Sequence, residues 1–221
     1  MRTKSERIEA FGKIDLYPVT DQGQSLGRPN DEVLEGIIKG GARIVQLRDK
    51  ALPKRELHAM AVRFRKATGE AGVLLIINDH IDIALSAGAD GVHLGQDDLP
   101  LEDARRLAPD LIIGVSTHSL EQALAAQAGG ADYVNIGPIF PTGTKATPVP
   151  PLGPAVIAAI LPHLKIPFTV MGGISYDNIG RVLEAGASKV AVVTAVTKAQ
   201  DIAAEVGRLR ELIASRGGQG A

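Results

Sequence analysis

The chain has no cysteine. Disulfides, thiolate metal sites and a cysteine nucleophile are therefore excluded, and redox chemistry gives no indication of compartment. Aromatic residues make up only 3% of the sequence, too few for the stacking platforms that hold single-stranded nucleic acid. Neither charge is in excess: 24 Lys and Arg stand against 25 Asp and Glu, a net charge of −1. Nucleic-acid and membrane-surface binding usually draw on a basic excess, so neither partner is expected. No apolar run is long enough to span a bilayer, and the opening MRTKSERIEAFGK lacks the apolar centre of a signal peptide. The expectation is a soluble cytoplasmic protein.

What the sequence does have is apolar residues, 45% over 221 positions, enough to bury a large core in one domain. Short β-branched runs recur throughout: IDLYPV, RIVQLR, VLLIIN, GVHL, LIIGVS, YVNIGP, PFTVMG and KVAVVT. Segments with helical spacing lie between them, such as KRELHAMAVRFRKATG and LEQALAAQAGG. Strands alternating with helices predict crossover connections and a parallel sheet. Eight units at this length predict an α/β chain folded as a (β/α)₈ TIM barrel. A weak repeat agrees: GGARIV, AGADGV, GGADYV and AGASKV each close a helix on Gly and open an even-numbered strand. The alternative is a doubly wound sheet, but no G-x-G-x-x-G follows the first strand. The chain reads as a single domain, with about residues 1–12 as a short N-terminal helical extension and about 216–221 as a frayed tail.

In such a barrel the active site lies at the C-terminal ends of the strands. Polar residues gather there: QLRDK, IINDH, GVHLGQDD, GVSTHS, GPIFPTGTK, MGGI and VVTAV. Alternation on IVQLRDK turns Val45 and Leu47 towards the helices and Gln46, Arg48 and Lys50 inward. Buried cations require carboxylates or a bound anion, so the motif predicts internal ion pairs or a ligand site. Asp49 falls on the opposite face and is not expected to bind metal. In GPIFPTGTK, Thr142, Thr144 and Lys145 offer hydroxyls, N–H groups and a charge to a phosphate, with Gly143 free for an unusual backbone angle. Gly172 and Gly173 allow close backbone approach to an anion before a helix start, or serve a tight turn. Asp79 and Asp98 follow neighbouring strands and suit Mg²⁺, with helix capping as the competing role. Ser116 and His118 form a dyad on paper only, and no G-x-S-x-G elbow exists. Together these features predict a barrel mouth with two anion sites and Mg²⁺.

The stretches VQLRDK, IINDHIDIALSAGADGVHLGQDDLP, IIGVSTHS, GPIFPTGTK and GGI closely resemble the thiamine-phosphate synthase family, in the family's order from about Tyr17 to about Asp201. The resemblance implies a transferase of thiamine biosynthesis. A hydroxymethylpyrimidine diphosphate and a thiazole phosphate would give thiamine phosphate and pyrophosphate, by dissociative loss of pyrophosphate. It implies that Gln46, Arg48, Lys50, Asn78, Ser116 and Lys145 contact the pyrimidine diphosphate. Arg48, Ser116 and Lys145 would be the catalytic members of that set. It also implies Mg²⁺ on Asp79 and Asp98, and thiazole phosphate on Thr142, Thr144, Gly173, Val193 and Thr194. Val193, Thr194, Asn135 and Met171 depart from the residues usual in the family. The competing functions are the related thiazole tautomerase, with His118 as acid or base, and a non-catalytic thiamine-phosphate binder. Oligomeric state stays open, a homodimer included.

Overall fold

The structure, a computed structural model, describes residues 2–144 and 149–217. Its eight strands are β1 (Leu16–Pro18), β2 (Ile44–Leu47), β3 (Leu74–Asn78), β4 (Gly91–Leu94), β5 (Ile112–Thr117), β6 (Tyr133–Ile136), β7 (Phe168–Val170) and β8 (Val190–Val192). They are ordered β1-β8-β7-β6-β5-β4-β3-β2, with every neighbouring pair parallel. A bridge between Val19 and Gln46, with Thr20 N donating to Gln46 O at 2.9 Å, brings the first and last strands of that order together. The sheet is thus the (β/α)₈ barrel that the alternation of strands and helices predicts.

Helix α1 (Lys4–Gly12) precedes β1, and a capping box between Thr3 and Glu6 starts it. Helices α2 (Asn30–Lys39), α3 (Lys54–Ala71), α4 (Ile81–Ser86), α5 (Leu101–Leu107), α6 (Leu120–Ala128), α7 (Ala155–Ile160) and α8 (Ile179–Glu184) join successive strands. Helices α9 (Thr194–Thr197) and α10 (Ile202–Gly217) follow β8. Among the described residues no helix is long and apolar enough to cross a membrane.

The two strand faces sort as a period of two requires. Val45, Leu47, Leu75 and Ile77 pack into the layer between sheet and helices. Ile44, Leu74, Ile76 and Ile112 fill the barrel interior with Tyr17 and Tyr133. Phe11, at the end of α1, stacks on Tyr133 with ring centroids 4.3 Å apart, so the N-terminal helix plugs the base of the barrel.

The repeat seen in the sequence is one structural device used four times. Gly41, Gly88, Gly130 and Gly186 have φ of 82°, 67°, 87° and 101°, the left-handed region open to glycine. In each case the following alanine N–H reaches back to close a Schellman turn, as in Ala42 N to Ile37 O at 3.2 Å and Ala131 N to Ala126 O at 3.0 Å. Two of these turns then deliver an aspartate that braces the preceding strand. Asp90 accepts from Leu75 N at 3.0 Å and Asp132 from Ile113 N at 2.8 Å, and each takes an arginine from the helix that leads into the braced strand, Arg65 of α3 and Arg105 of α5.

Asp90 is 2% exposed and also neutralises Arg7 at 3.6 Å and Arg2 at 3.3 Å. Asp90→Ala leaves the buried Arg7 guanidinium without a carboxylate and Leu75 N without its acceptor. The expected loss is about 3–5 kcal/mol in urea unfolding. Asp103→Ala, which breaks only the exposed Asp103–Arg106 pair, should leave the midpoint essentially unchanged.

Candidate active site

The strand ends converge on one cavity at the C-terminal mouth of the barrel. Gln46, Arg48, Lys50, Asn78, Asp79, Ser116, Thr142, Thr144, Gly173, Val193 and Thr194 all line it. The positions implied by the resemblance are thereby brought together, with two exceptions. Lys145 lies outside the described residues. Asp98 stands behind the lining, against Asp79 and Lys50.

On the β2 side, Gln46 is buried at 3% exposure; beyond the end of β2, half-buried Arg48 and exposed Lys50 also line the cavity, so Lys50 is not the buried cation that alternation predicted. Their charges are already compensated. Arg48 pairs with Asp21 and Lys50 with Asp79. Asp21, which follows β1, carries no motif that marks it in the sequence. Asp49 points away, accepting from Ala51 N at 2.9 Å, Leu52 N at 3.1 Å and Asn30 Nδ2 at 3.0 Å, which accounts for its charge without metal.

Asp79 follows β3 at φ 59°, a left-handed angle that Asp tolerates better than most side chains. Its N–H donates to His93 O at 2.8 Å, which anchors the turn to β4. Asp98 accepts from Gly95 N at 2.6 Å, while α4 and α5 are preceded by His80 and Pro100. Neither aspartate therefore caps a helix. Burial, and then the hydrogen bond and charge of Asp79, push the Asp98 carboxyl above its ordinary pKa; Gly95 N–H and Lys50 act in the opposite sense. Two carboxylates pressed together with one lysine are short of positive charge. Their hard oxygen donors suit Mg²⁺, which takes one or two carboxylates and leaves room for phosphate oxygens. Among the described residues no group of three or more His, Cys, Asp or Glu gathers as a metal site.

Across the mouth, Thr142 and Thr144 fold onto each other, Thr144 N donating to Thr142 Oγ1 at 3.3 Å. Gly143 has no positive φ, contrary to expectation; the two hydroxyl-bearing neighbours shape this turn instead. The unusual angles fall at Gly172 and Gly173, with φ of 109° and 60°. A Cβ at Gly172 would lie 2.5 Å from Pro138 Cα, and one at Gly173 would lie 2.3 Å from Pro141 O. Both the turn and the close approach of the neighbouring loop therefore demand glycine. Asn178 holds this loop, accepting from Ser175 N at 2.9 Å and donating to Gly173 O at 2.8 Å. Asn135 accepts from Thr169 Oγ1 at 2.8 Å, so its amide oxygen is satisfied. Met171 packs on the barrel interior.

Ser116 and His118 are not partners. His118 Nδ1 faces Gly137 O, whereas Ser116 Oγ sits 2.9 Å from His93 Nε2. His93, also missed from the sequence, is readable as the inward residue between Val92 and Leu94 on β4. Among the described residues the site thus contains no serine–histidine–carboxylate set.

A family model described as thiamine monophosphate synthase matches residues 16–196. The thiamine-phosphate synthase of Shouchella clausii is 48% identical over 190 residues, covering 86% of this chain and 91% of that one. That of Chloroflexus aurantiacus is 46% identical over 198 residues, covering 90% and 92%. The solved structure of thiamine phosphate pyrophosphorylase from Pyrococcus furiosus superposes with a TM-score of 0.86 at 37% identity, covering 92% of this chain and 97% of that one. A family model spanning residues 16–196 and relatives 46–48% identical over most of the chain show that this chain belongs to the thiamine monophosphate synthase family, whose members are transferases.

Proposed function

We propose that this protein joins a hydroxymethylpyrimidine diphosphate to a thiazole phosphate, giving thiamine phosphate and pyrophosphate, in a Mg²⁺-dependent reaction. The observation that carries the reading is one cavity with anion-binding groups on opposing walls. Arg48, Lys50 and Asp79 stand on one side, and Thr142, Thr144 and the backbone around Gly173, Val193 and Thr194 on the other. Asp79 and Asp98 would hold Mg²⁺, which supplies positive charge to a diphosphate leaving group. The substrates on this reading are small molecules, without nucleic acid or membrane. The whole chain acts as one barrel domain in the cytoplasm.

The reaction asks little acid–base chemistry of the protein. The methylene–oxygen bond breaks and its electron pair leaves with pyrophosphate. The electron-rich aminopyrimidine carries the positive methylene until the thiazole nitrogen attacks it. Arg48 and Lys50 stabilise the departing charge, and Lys145 is assigned the same part from its motif. Asp21 and Asp79 hold the two cations in place before substrate arrives. Alignment of the two substrates between opposing walls supplies much of the remaining acceleration. Among the described residues no triad forms around Ser116, in keeping with this chemistry.

The deciding experiment supplies both substrates and Mg²⁺ and measures thiamine phosphate. Product above the no-enzyme control is expected. No product beside rapid thiazole isomerisation would transfer the reading to the tautomerase, and ligand binding with no turnover would transfer it to a binder. Asp98→Ala should lower kcat/KM for the diphosphate substrate at least about tenfold and move the Mg²⁺ titration to higher concentration. An unchanged Mg²⁺ dependence would remove Asp98 from the metal site. Lys145→Ala should lower kcat about 100-fold at saturating substrates, because its partner gains charge as the bond breaks. A change confined to the thiazole KM would reassign it to the other substrate.

A further inference from the structure

At the floor of the cavity, five side chains from five strands form a continuous chain of hydrogen bonds across the barrel. Gln46 Nε2 on β2 donates to Tyr17 Oη on β1 at 3.0 Å. Tyr17 Oη lies 3.0 Å from Tyr133 Oη on β6. Tyr133 Oη lies 3.0 Å from His93 Nδ1 on β4, and His93 Nε2 lies 2.9 Å from Ser116 Oγ on β5. Tyr17, Tyr133, Gln46 and His93 are all buried, with 1%, 0%, 3% and 7% of their surface exposed. Room for this row is built in: a Cβ at Gly114 would lie 2.0 Å from Tyr133 Cζ.

Once one end is oriented, proton counting orients the rest. Tyr17 Oη receives the Gln46 amide proton, so its own proton goes to Tyr133. A buried hydroxyl proton left without an acceptor costs roughly 1–3 kcal/mol, which excludes the arrangement in which Tyr17 only accepts. Tyr133 then donates to His93 Nδ1. A neutral imidazole that accepts at Nδ1 carries its proton on Nε2, and that proton goes to Ser116 Oγ. Burial raises both phenol pKa values, so both hydroxyls keep their protons near neutrality.

We propose that Tyr17 and Tyr133 are positioning residues that form a one-way relay, fixing His93 as its Nε2–H tautomer. The relay also sets the polarity of the cavity walls that receive the pyrimidine ring. At one end Gln46 is left with its Oε1 acceptor. At the other, Ser116 is left with an O–H donor. An aminopyrimidine needs that combination, an acceptor for its amino group and a donor for a ring nitrogen. This last step rests on the proposed function; the relay does not.

The test separates the two. Histidine-labelled protein in the absence of substrate, at mildly alkaline pH, should show one imidazole in the Nε2–H form by long-range ¹H–¹⁵N correlation. His93→Gln assigns that signal. Tyr133→Phe keeps the ring and removes the donor to Nδ1, so the His93 signal should lose its fixed tautomer. Tyr17→Phe leaves Tyr133 able to donate, so the tautomer should persist there. With both substrates, Tyr133→Phe should raise KM for the pyrimidine diphosphate roughly tenfold while KM for the thiazole phosphate stays within about twofold. His93 in the Nδ1–H form in the unmodified protein, or a tautomer unmoved by Tyr133→Phe, overturns the relay. If the unmodified protein makes no thiamine phosphate, the functional reading fails and the tautomer measurements still decide the relay. Matching circular dichroism spectra and a cooperative urea transition, at a midpoint lowered by the lost hydrogen bond, confirm that the Phe variants are folded.

Discussion

A parallel sheet closed on itself covers every strand on both faces, and this constraint governs the molecule. One face meets helices and can be filled with Val, Leu and Ile. The other meets the barrel axis, where space is short and water is scarce. Any polar group there has to find its partner on another strand. The lower interior satisfies this with Ile44, Leu74, Ile76 and Ile112 under the Phe11 plug. The middle layer consists of hydroxyl, imidazole and amide groups that satisfy one another. The upper layer carries full charges, each met by a carboxylate from a neighbouring strand end.

The two rims of the barrel use charge differently. At the base, Asp90 and Asp132 are saturated, with backbone N–H groups and arginines occupying their oxygens. Such groups hold strands in register and leave little capacity for a ligand. At the mouth, Asp79 and Asp98 crowd each other and share Lys50, and burial adds to the strain on Asp98. A surplus of like charge is a poor stabiliser and a good reason to bind a cation and phosphate. The contrast between a saturated rim and one with crowded carboxylates is the physical ground for proposing the mouth as the site.

Much of this was readable from the chain. The alternation in IVQLRDK placed Gln46, Arg48 and Lys50 on the inner face, and the paired Gly–Ala signals marked the helix ends at Gly41, Gly88, Gly130 and Gly186. Those features depend on residues near in sequence. Asp21 escaped notice because its meaning comes from Arg48, 27 residues away and on another strand. His93 and Tyr133 escaped it because a lone aromatic or imidazole on a strand looks like core until its neighbours are known. Gly143 was expected to take an unusual angle, which the chain instead takes at Gly172 and Gly173, where the loop carrying Pro138 and Pro141 passes too close for a Cβ.

By itself, then, the sequence determined the eight-unit barrel, the face each strand residue takes and the family motifs at the strand ends. Periodicity and local backbone chemistry are enough for these. Only the tertiary structure decided the pairings: Arg48 with Asp21, Asp98 with Asp79, Ser116 with His93 in place of His118. Closure brings residues from distant strands within hydrogen-bond reach, and partners chosen by closure leave no spacing in the sequence to read.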